Sequence, residues 1–181
     1  METLEKQLNA AGLAVYGKCD RLGSDNANLL SESVLLMDMT PQEIDTLGQF
    51  MLRIHAQAGQ VLITEGETGE WMLLLLKGTV EVTKRIEPRA SDDSLTPTQS
   101  RIAVIQCGAA VGEMSMLDSA PRNASCTAIE EVEAAALGRQ EITMLIKHHP
   151  AVGSKLLLKI NQIMAQRLRS MSYQLMKLMK T

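Results

Sequence analysis

The segment VLITEGETGEWMLLLLKGTVEV, residues 61–82, decides the architecture. Val61-Leu62-Ile63 is an apolar run closed by Glu65-Gly66-Glu67-Thr68-Gly69. Trp71 to Leu76 is a second run, closed by Lys77-Gly78, after which Val80 and Val82 alternate with Glu81 and Thr83. Short apolar or period-two runs between glycine turns are the pattern of antiparallel strands in a meander. The pattern resumes at Ile102 to Ile105 and again across Ser125 to Leu137. There Glu133-Ala134-Ala135-Ala136 is helix-prone by propensity, and periodicity by itself does not choose between helix and strand. Residues 86–100 are polar and contain Pro88 and Pro97, which reads as an exposed hairpin loop longer than most.

Helical signals flank this region. Thr40-Pro41-Gln42-Glu43 offers a threonine N-cap, proline at the first helical position and glutamate at the third, a capping box. Ile44, Leu47, Phe50, Met51 and Ile54 follow at helical spacing, so the pattern predicts a helix ending near His55, before the turn at Gly59. Residues 1–33 mix helix formers with Gly12, Gly17 and Gly23 and predict one or two short, loosely held helices. From about Gln140 the helical period returns, broken by Pro150 and Gly153. After Gly153, Leu157, Ile160, Met164, Leu168, Met171, Leu175 and Leu178 form one apolar stripe, with heptad spacing from Leu168 onward. The expected fold is α+β: an antiparallel β-roll or jelly roll of about eight strands, flanked by N-terminal helices and a long C-terminal helix. Its parts are a helical extension (1–33), the roll (34–150) and a basic amphipathic helix (151–181).

Composition narrows the function. At 181 residues and 45% apolar, the chain can bury a core that needs no disulfide or metal staple. Cys19, Cys107 and Cys126 are odd in number, far apart and without C-x-x-C spacing, which argues against both a disulfide framework and a zinc site. The acidic start has no secretory h-region, and the longest apolar run is far short of a membrane span, so a soluble protein of the reducing cytoplasm is expected. Aromatics are 2% of the chain, too few for a base-stacking surface. The net charge of −3 divides sharply: residues 142–181 hold seven Lys or Arg and no Asp or Glu, leaving about −10 on the first 141.

The chemistry is concentrated in Val111-Gly112-Glu113-Met114-Ser115-Met116-Leu117-Asp118-Ser119-Ala120-Pro121-Arg122-Asn123-Ala124-Ser125. A glycine lets the backbone approach a ligand, and a short helical turn after it points free N–H groups at an anion. Arg122 supplies a bidentate clamp for a phosphate, while Glu113 can accept a hydrogen bond from a sugar hydroxyl. Together they describe a nucleotide-sized anionic ligand. The bland alternative is a surface ion pair between Glu113 and Arg122 across a loop.

Gly112-Glu113-Met114-Ser115 followed by Pro121-Arg122-Asn123-Ala124-Ser125 resembles the phosphate-binding cassette of the cyclic nucleotide-binding domain family. Gly59, Glu65-Gly66-Glu67, Gly69 and Gly78 resemble that family's strand-turn positions, and the resemblance covers about residues 34–150. It implies a roll holding cAMP or cGMP, with Glu113 on the ribose 2′-hydroxyl and Arg122 on the cyclic phosphate. Backbone groups of Met114 and Ser115 would complete the cradle, with Val111, Pro121 and Ala124 lining the cassette. Ser115 stands where many members have alanine. Asn123 stands where alanine accompanies cAMP preference and threonine cGMP preference, and the missing threonine hydroxyl leans the reading to cAMP.

A cyclic nucleotide sensor that moves its C-terminal helix is therefore expected. The alternative is a nucleotide-independent interaction or assembly module on the same fold. No catalytic residues are assigned, and no metal: His55 and the pair His148-His149 read as helix-end residues. The C-terminal helix can pack on the roll, pair with its twin in a homodimer through residues 156–178, or dock on an acidic partner protein or an anionic membrane surface. The chain ends at Thr181 after this helix, so sequence-specific DNA reading is not expected.

Overall fold

The computed structural model describes residues 3–25, 33–86 and 98–179. Among the described residues nine strands form two antiparallel sheets. They are β1 (Ala14–Lys18), β2 (Leu52–Ala56), β3 (Val61–Ile63), β4 (Trp71–Lys77), β5 (Thr79–Ile86), β6 (Thr98–Gln106), β7 (Ala110–Val111), β8 (Ser125–Ala128) and β9 (Val132–Gly138). One sheet runs β1-β2-β9-β4-β7 and the other β3-β8-β5-β6. The helices are α1 (Leu4–Ala10), α2 (Leu22–Asp25), α3 (Pro41–Gly48), α4 (Glu113–Asp118), α5 (Arg139–His148) and α6 (Pro150–Leu178). The expected roll with a long C-terminal helix is the observed fold.

The unbroken run Trp71 to Leu76 is explained by layering. Leu73 and Leu75 belong to the core shared by the two sheets, with Leu62, Val80, Val111 and Cys126. Met72 and Leu74 point the other way, into a second core built with Ile44, Leu47, Met116, Ile142, Leu145, Leu156 and Ile160. A sheet covered on both faces reads as continuous rather than alternating apolar sequence. The alanine run of β9 is strand for the same reason. It lies between β2 and β4, with Ala134 and Ala136 in the first core and Ala135 in the second. Tertiary pairing overrides helix propensity there.

Three expectations are corrected. The capping box is present, Thr40 N–H donating to Glu43 at 2.8 Å and Glu43 N–H to Thr40 at 3.3 Å, but the helix stops at Gly48 and not near His55. Leu52–Ala56 is β2, paired with β9 from Leu52↔Ala136 to Ala56↔Val132. Gly48 allows the chain to pass beside the preceding segment: a Cβ there would stand 2.1 Å from the Cys19 carbonyl oxygen. Gly48→Ala is therefore expected to cost about 3 kcal/mol by overpacking against backbone, read as a lower urea midpoint. An unchanged midpoint would show that the two segments can separate freely.

Residues 1–33 are not simply loose helices, although 26–32 lie outside the described residues. α1 buries Leu4 and Leu8 in the roll core, and β1 adds an edge strand to β2, with a bulge between Val15 and Gly17. The stripe on the last helix, thirdly, begins at Pro150 and divides. Gly153 does not break α6 but brings it against α5, where a Cβ would stand 2.6 Å from Ile146 Cγ1. Leu156 and Ile160 are consumed by the chain's own core, with Leu157 and Met164 packed against it. Leu168, Met171 and Leu175 are 65%, 57% and 60% exposed. Of the expected 86–100 loop, residues 87–97 lie outside the described residues; β5 and β6 pair out to Ile86↔Thr98.

Two lysines fasten the first half of α6 to α3 and to Asp38 ahead of it. Lys155 Nζ donates to Glu43 at 2.8 Å and to the Asp38 carbonyl at 3.1 Å, and Lys159 Nζ, itself buried, donates to the Asp38 carboxylate at 2.6 Å. The hydrogen bond from Lys155, then that from the Thr40 backbone, holds the Glu43 carboxyl below its ordinary value of 4.5. A lowered folded-state value means the pair's contribution is present above the ordinary carboxylate range and lost as pH falls through the lowered one. Because both partners are partly exposed, that contribution is about 1 kcal/mol or less. Lys155→Ala should therefore lower the denaturant midpoint more at pH 7 than near pH 2, where only the bond to the Asp38 carbonyl is left to lose; equal effects at both would remove the ion pair as the cause.

Candidate functional site

The cassette begins where β7 ends. Gly112 adopts φ 81°, the left-handed region that admits glycine readily, and turns the chain from Val111 into the six residues of α4. Space demands glycine as well: a Cβ on Gly112 would stand 2.7 Å from Arg122 Nη1, and one on Gly69 would stand 2.9 Å from Arg122 Nη2. Arg122 is thus held between two glycines. Its backbone is locked to the strand turn, with Arg122 N–H donating to the Glu67 carbonyl at 2.8 Å and Gly66 N–H to the Arg122 carbonyl at 2.9 Å. The glycine turn upstream and the cassette are one structural unit.

Arg122 is 4% exposed; its guanidinium lies 4.3 Å over the Trp71 ring and donates from Nη1 to the Gly112 carbonyl at 2.9 Å. Burial pushes it down to about 10, so it remains cationic at neutral pH. Its Nη2 is buried without a hydrogen-bond partner among the described residues. A cleft of about 760 Å3 reaches this arginine between α1 (Gln7, Ala10) and the turn Thr64 to Trp71, a size suited to a small ligand.

Glu113 opens α4 and is 1% exposed. One carboxylate oxygen accepts from Arg167 Nη1 of α6, and Arg167 Nη2 donates to the Ala110 carbonyl at 2.7 Å. The other oxygen, Oε2, is buried without a partner among the described residues. The surface ion pair between Glu113 and Arg122 is therefore not what forms. Both are buried, and they meet through Gly112, one adjacent to it in sequence and the other bonded to its carbonyl.

The remaining cassette residues divide. Val111 and Ser115 are buried, Ala124 half-buried, and Met114 and Pro121 exposed. The N–H groups of Glu113, Met114 and Ser115 precede the first bond of the turn, Met116 N–H to the Gly112 carbonyl, and so lack intrahelical partners. Asn123 is exposed, and Lys84 Nζ donates to both its side-chain and backbone oxygens, at 2.7 and 3.0 Å. His55 is not a helix-end residue: it lies in β2 and bonds Glu131 at 2.7 Å. His148 ends α5, and His149 caps it with its ring edge-on to Phe50. Among the described residues no group of three His, Cys, Asp or Glu is placed to hold a metal.

Arg167 and Trp71 are the site residues that motif reading missed. Arg167 sits 54 positions from Glu113 among other basic residues of α6, and nothing local distinguishes it. Trp71 is the chain's one tryptophan and reads as core, which it also is.

Two packed sheets, a glycine-led cassette and a buried arginine beside a cleft define a class: a β-roll that takes a small anionic ligand. Within that class the chain belongs to the cyclic nucleotide-binding domain family, whose model matches residues 53–149. It is 30% identical over 144 residues to the cyclic AMP receptor protein of Thermus thermophilus, a match covering 79% of this chain and 61% of the relative. It is 29% identical to the cAMP-dependent protein kinase regulatory subunit of Yarrowia lipolytica over 65% of this chain and 28% of that one. The crystal structure of a cyclic nucleotide-binding domain from Methylobacillus flagellatus superposes with a TM-score of 0.78 at 31% identity, covering all of this chain and 96% of that one. The chain spans about six-tenths of the length of the Thermus regulator or less of such relatives.

Proposed function

We propose that the chain is a cyclic nucleotide sensor that is not itself an enzyme, taking cAMP in preference to cGMP, with Arg122 on the phosphate and Glu113 on the ribose. The observation that carries this reading is a pair of buried atoms, Arg122 Nη2 and Glu113 Oε2, one donor and one acceptor, each without a partner among the described residues, on side chains joined through Gly112, whose carbonyl Arg122 bonds and which Glu113 follows in sequence. Orphaned buried polar atoms are costly, and a ligand bearing a phosphate oxygen and a hydroxyl satisfies one of each. The preference for cAMP is supported by relatives named for that nucleotide. Asn123, tied to Lys84, leaves no threonine-like hydroxyl facing a guanine.

Arg167 gives the ligand a means to act. The glutamate that would take a ribose hydroxyl also holds α6, so binding changes the relative free energy of α6 seated and α6 released. The distal half of α6, with Leu168, Met171 and Leu175 exposed, would then pair with a second copy; the cationic residues beside it suit an acidic partner or anionic surface less specifically. No helix among the described residues is long and apolar enough to cross a membrane. Arg167 already seated on Glu113 is what favours the rival, a nucleotide-independent interaction module.

Calorimetric titration with cAMP and with cGMP, after removal of carried-over nucleotide, tests the reading. Trp71 emission serves as a second readout, because the ring lies under Arg122. Binding of cAMP at micromolar affinity or tighter is expected; binding of neither nucleotide leaves the rival.

A further inference from the structure

The cassette helix α4 is gripped at both ends by arginines of the C-terminal helices. At its start Glu113 takes Arg167 of α6; at its end the Met116 carbonyl accepts from Arg139 Nε, at 2.8 Å, from the first residue of α5. A second bond network closes the same corner. Glu70, just before β4, accepts the Ser119 hydroxyl at 2.6 Å, lies 3.7 Å from Arg139 Nε, and through its carbonyl accepts the Arg139 N–H at 2.9 Å. Ser119 is the C-cap of α4 and a non-glycine residue at φ 59°, a conformation that persists only where its surroundings hold it.

We infer that Arg139 is a positioning residue that makes the end of α4 and the start of α5 one mechanical body, so that cassette movement is passed to α5 at this corner and to α6 at Glu113.

Electrostatics separate this from an ordinary helix-start role. A cation in the first turn of a helix opposes the dipole of that helix, so α5 gains nothing from Arg139. The same cation faces a last-turn carbonyl of α4, where positive charge is favoured and where carbonyls lack intrahelical partners. Arg139 is therefore placed for α4 rather than for α5. Its Nη2 is buried and unpartnered among the described residues, so the guanidinium is held by the Met116 and Glu70 contacts and not by a general network. The two grips differ in kind. The Arg167 grip involves the carboxylate assigned to the ribose and is releasable by ligand, whereas the Arg139 grip is on the Met116 carbonyl, which is not among the groups assigned to the ligand, and persists; Ser119 and Glu70 line the edge of the cleft that reaches Arg122.

The inference rests on the proposed nucleotide reading only for its second arm. Hydrogen exchange of the full chain, read by mass spectrometry for wild type, Arg139→Gln and Arg139→Lys, tests it. Without nucleotide, Arg139→Gln is expected to raise exchange about tenfold in segments 116–119 and 140–143 together while β4 and β9 stay unchanged. Lysine, which can still reach one carbonyl, should restore part of the protection. With cAMP, wild type should change in α4 and α5 together, and Arg139→Gln in α4 alone. Unchanged exchange at 116–119 in the nucleotide-free variant overturns the inference, as does α5 following α4 in Arg139→Gln with cAMP. If wild type binds neither nucleotide, the proposed function fails while the nucleotide-free arm still decides. Should Arg139→Gln not fold, Ser119→Ala, which removes the bond to Glu70, is expected to move the same two segments in the same direction by a smaller factor, and no movement there overturns the joint.

Discussion

Replacing Arg122 by alanine is expected to weaken cAMP binding about ten- to a hundredfold, the loss of a charge-assisted contact of roughly 1.5–3 kcal/mol. The size of the effect follows from how the guanidinium is prepared. It is buried, stacked on Trp71, walled by Gly69 and Gly112 and already bonded on one side, so little ordering remains to be done when a phosphate arrives. Arg122→Lys keeps the charge but loses the planar stack and the fork, and should fall between wild type and alanine. Calorimetry reads both variants, with urea unfolding as the control for fold. Nucleotide affinity unchanged in Arg122→Ala would sink the assigned site, however the rest of the cassette behaves.

The second large effect is expected at Arg167. Its truncation to alanine leaves the carboxylate of Glu113, a residue 1% exposed in the intact chain, with neither oxygen paired. Stranding a buried acceptor costs about 1–3 kcal/mol. The value should lie toward the lower end because Arg167 is 40% exposed and water reaches its side of the pair. The loss reads as a lower urea midpoint at pH 7, accompanied by faster exchange of α6 amides beyond Met164. A double-mutant cycle isolates the contact: on a Glu113→Gln background, Arg167→Ala should cost distinctly less than on wild type. Additive losses would show that Arg167 holds α6 by packing or by its bond to the Ala110 carbonyl, and not through the carboxylate.

The legibility of this chain depended on distance along it. The capping box at Thr40 and Glu43 was readable because its two bonds span three residues. The cassette was readable for a similar reason: Gly112 and Arg122 are ten positions apart and joined by a bond from guanidinium to carbonyl. The glycine turn at Gly66 and Gly69 was legible as a turn, though not as the wall of the arginine's seat. The end of α3 was not legible, since Phe50, Met51 and Ile54 keep helical spacing beyond Gly48, while Leu52–Ala56 is claimed as strand by β9, much further along the chain.

What the sequence by itself determined is therefore the alternation of strands and turns, the capped start of α3, and the grouping of Gly112, Glu113 and Arg122 in one short segment. All are set by backbone preferences and side-chain bonds within a few residues. Only the tertiary structure decided that β1 joins the sheet, that the alanine run of β9 is strand, that α6 is half buried and half exposed, and that Arg167 and Arg139 grip the two ends of α4. Each of these rests on groups brought together across tens of residues, where burial and unmet hydrogen bonds choose among partners that local propensity cannot rank.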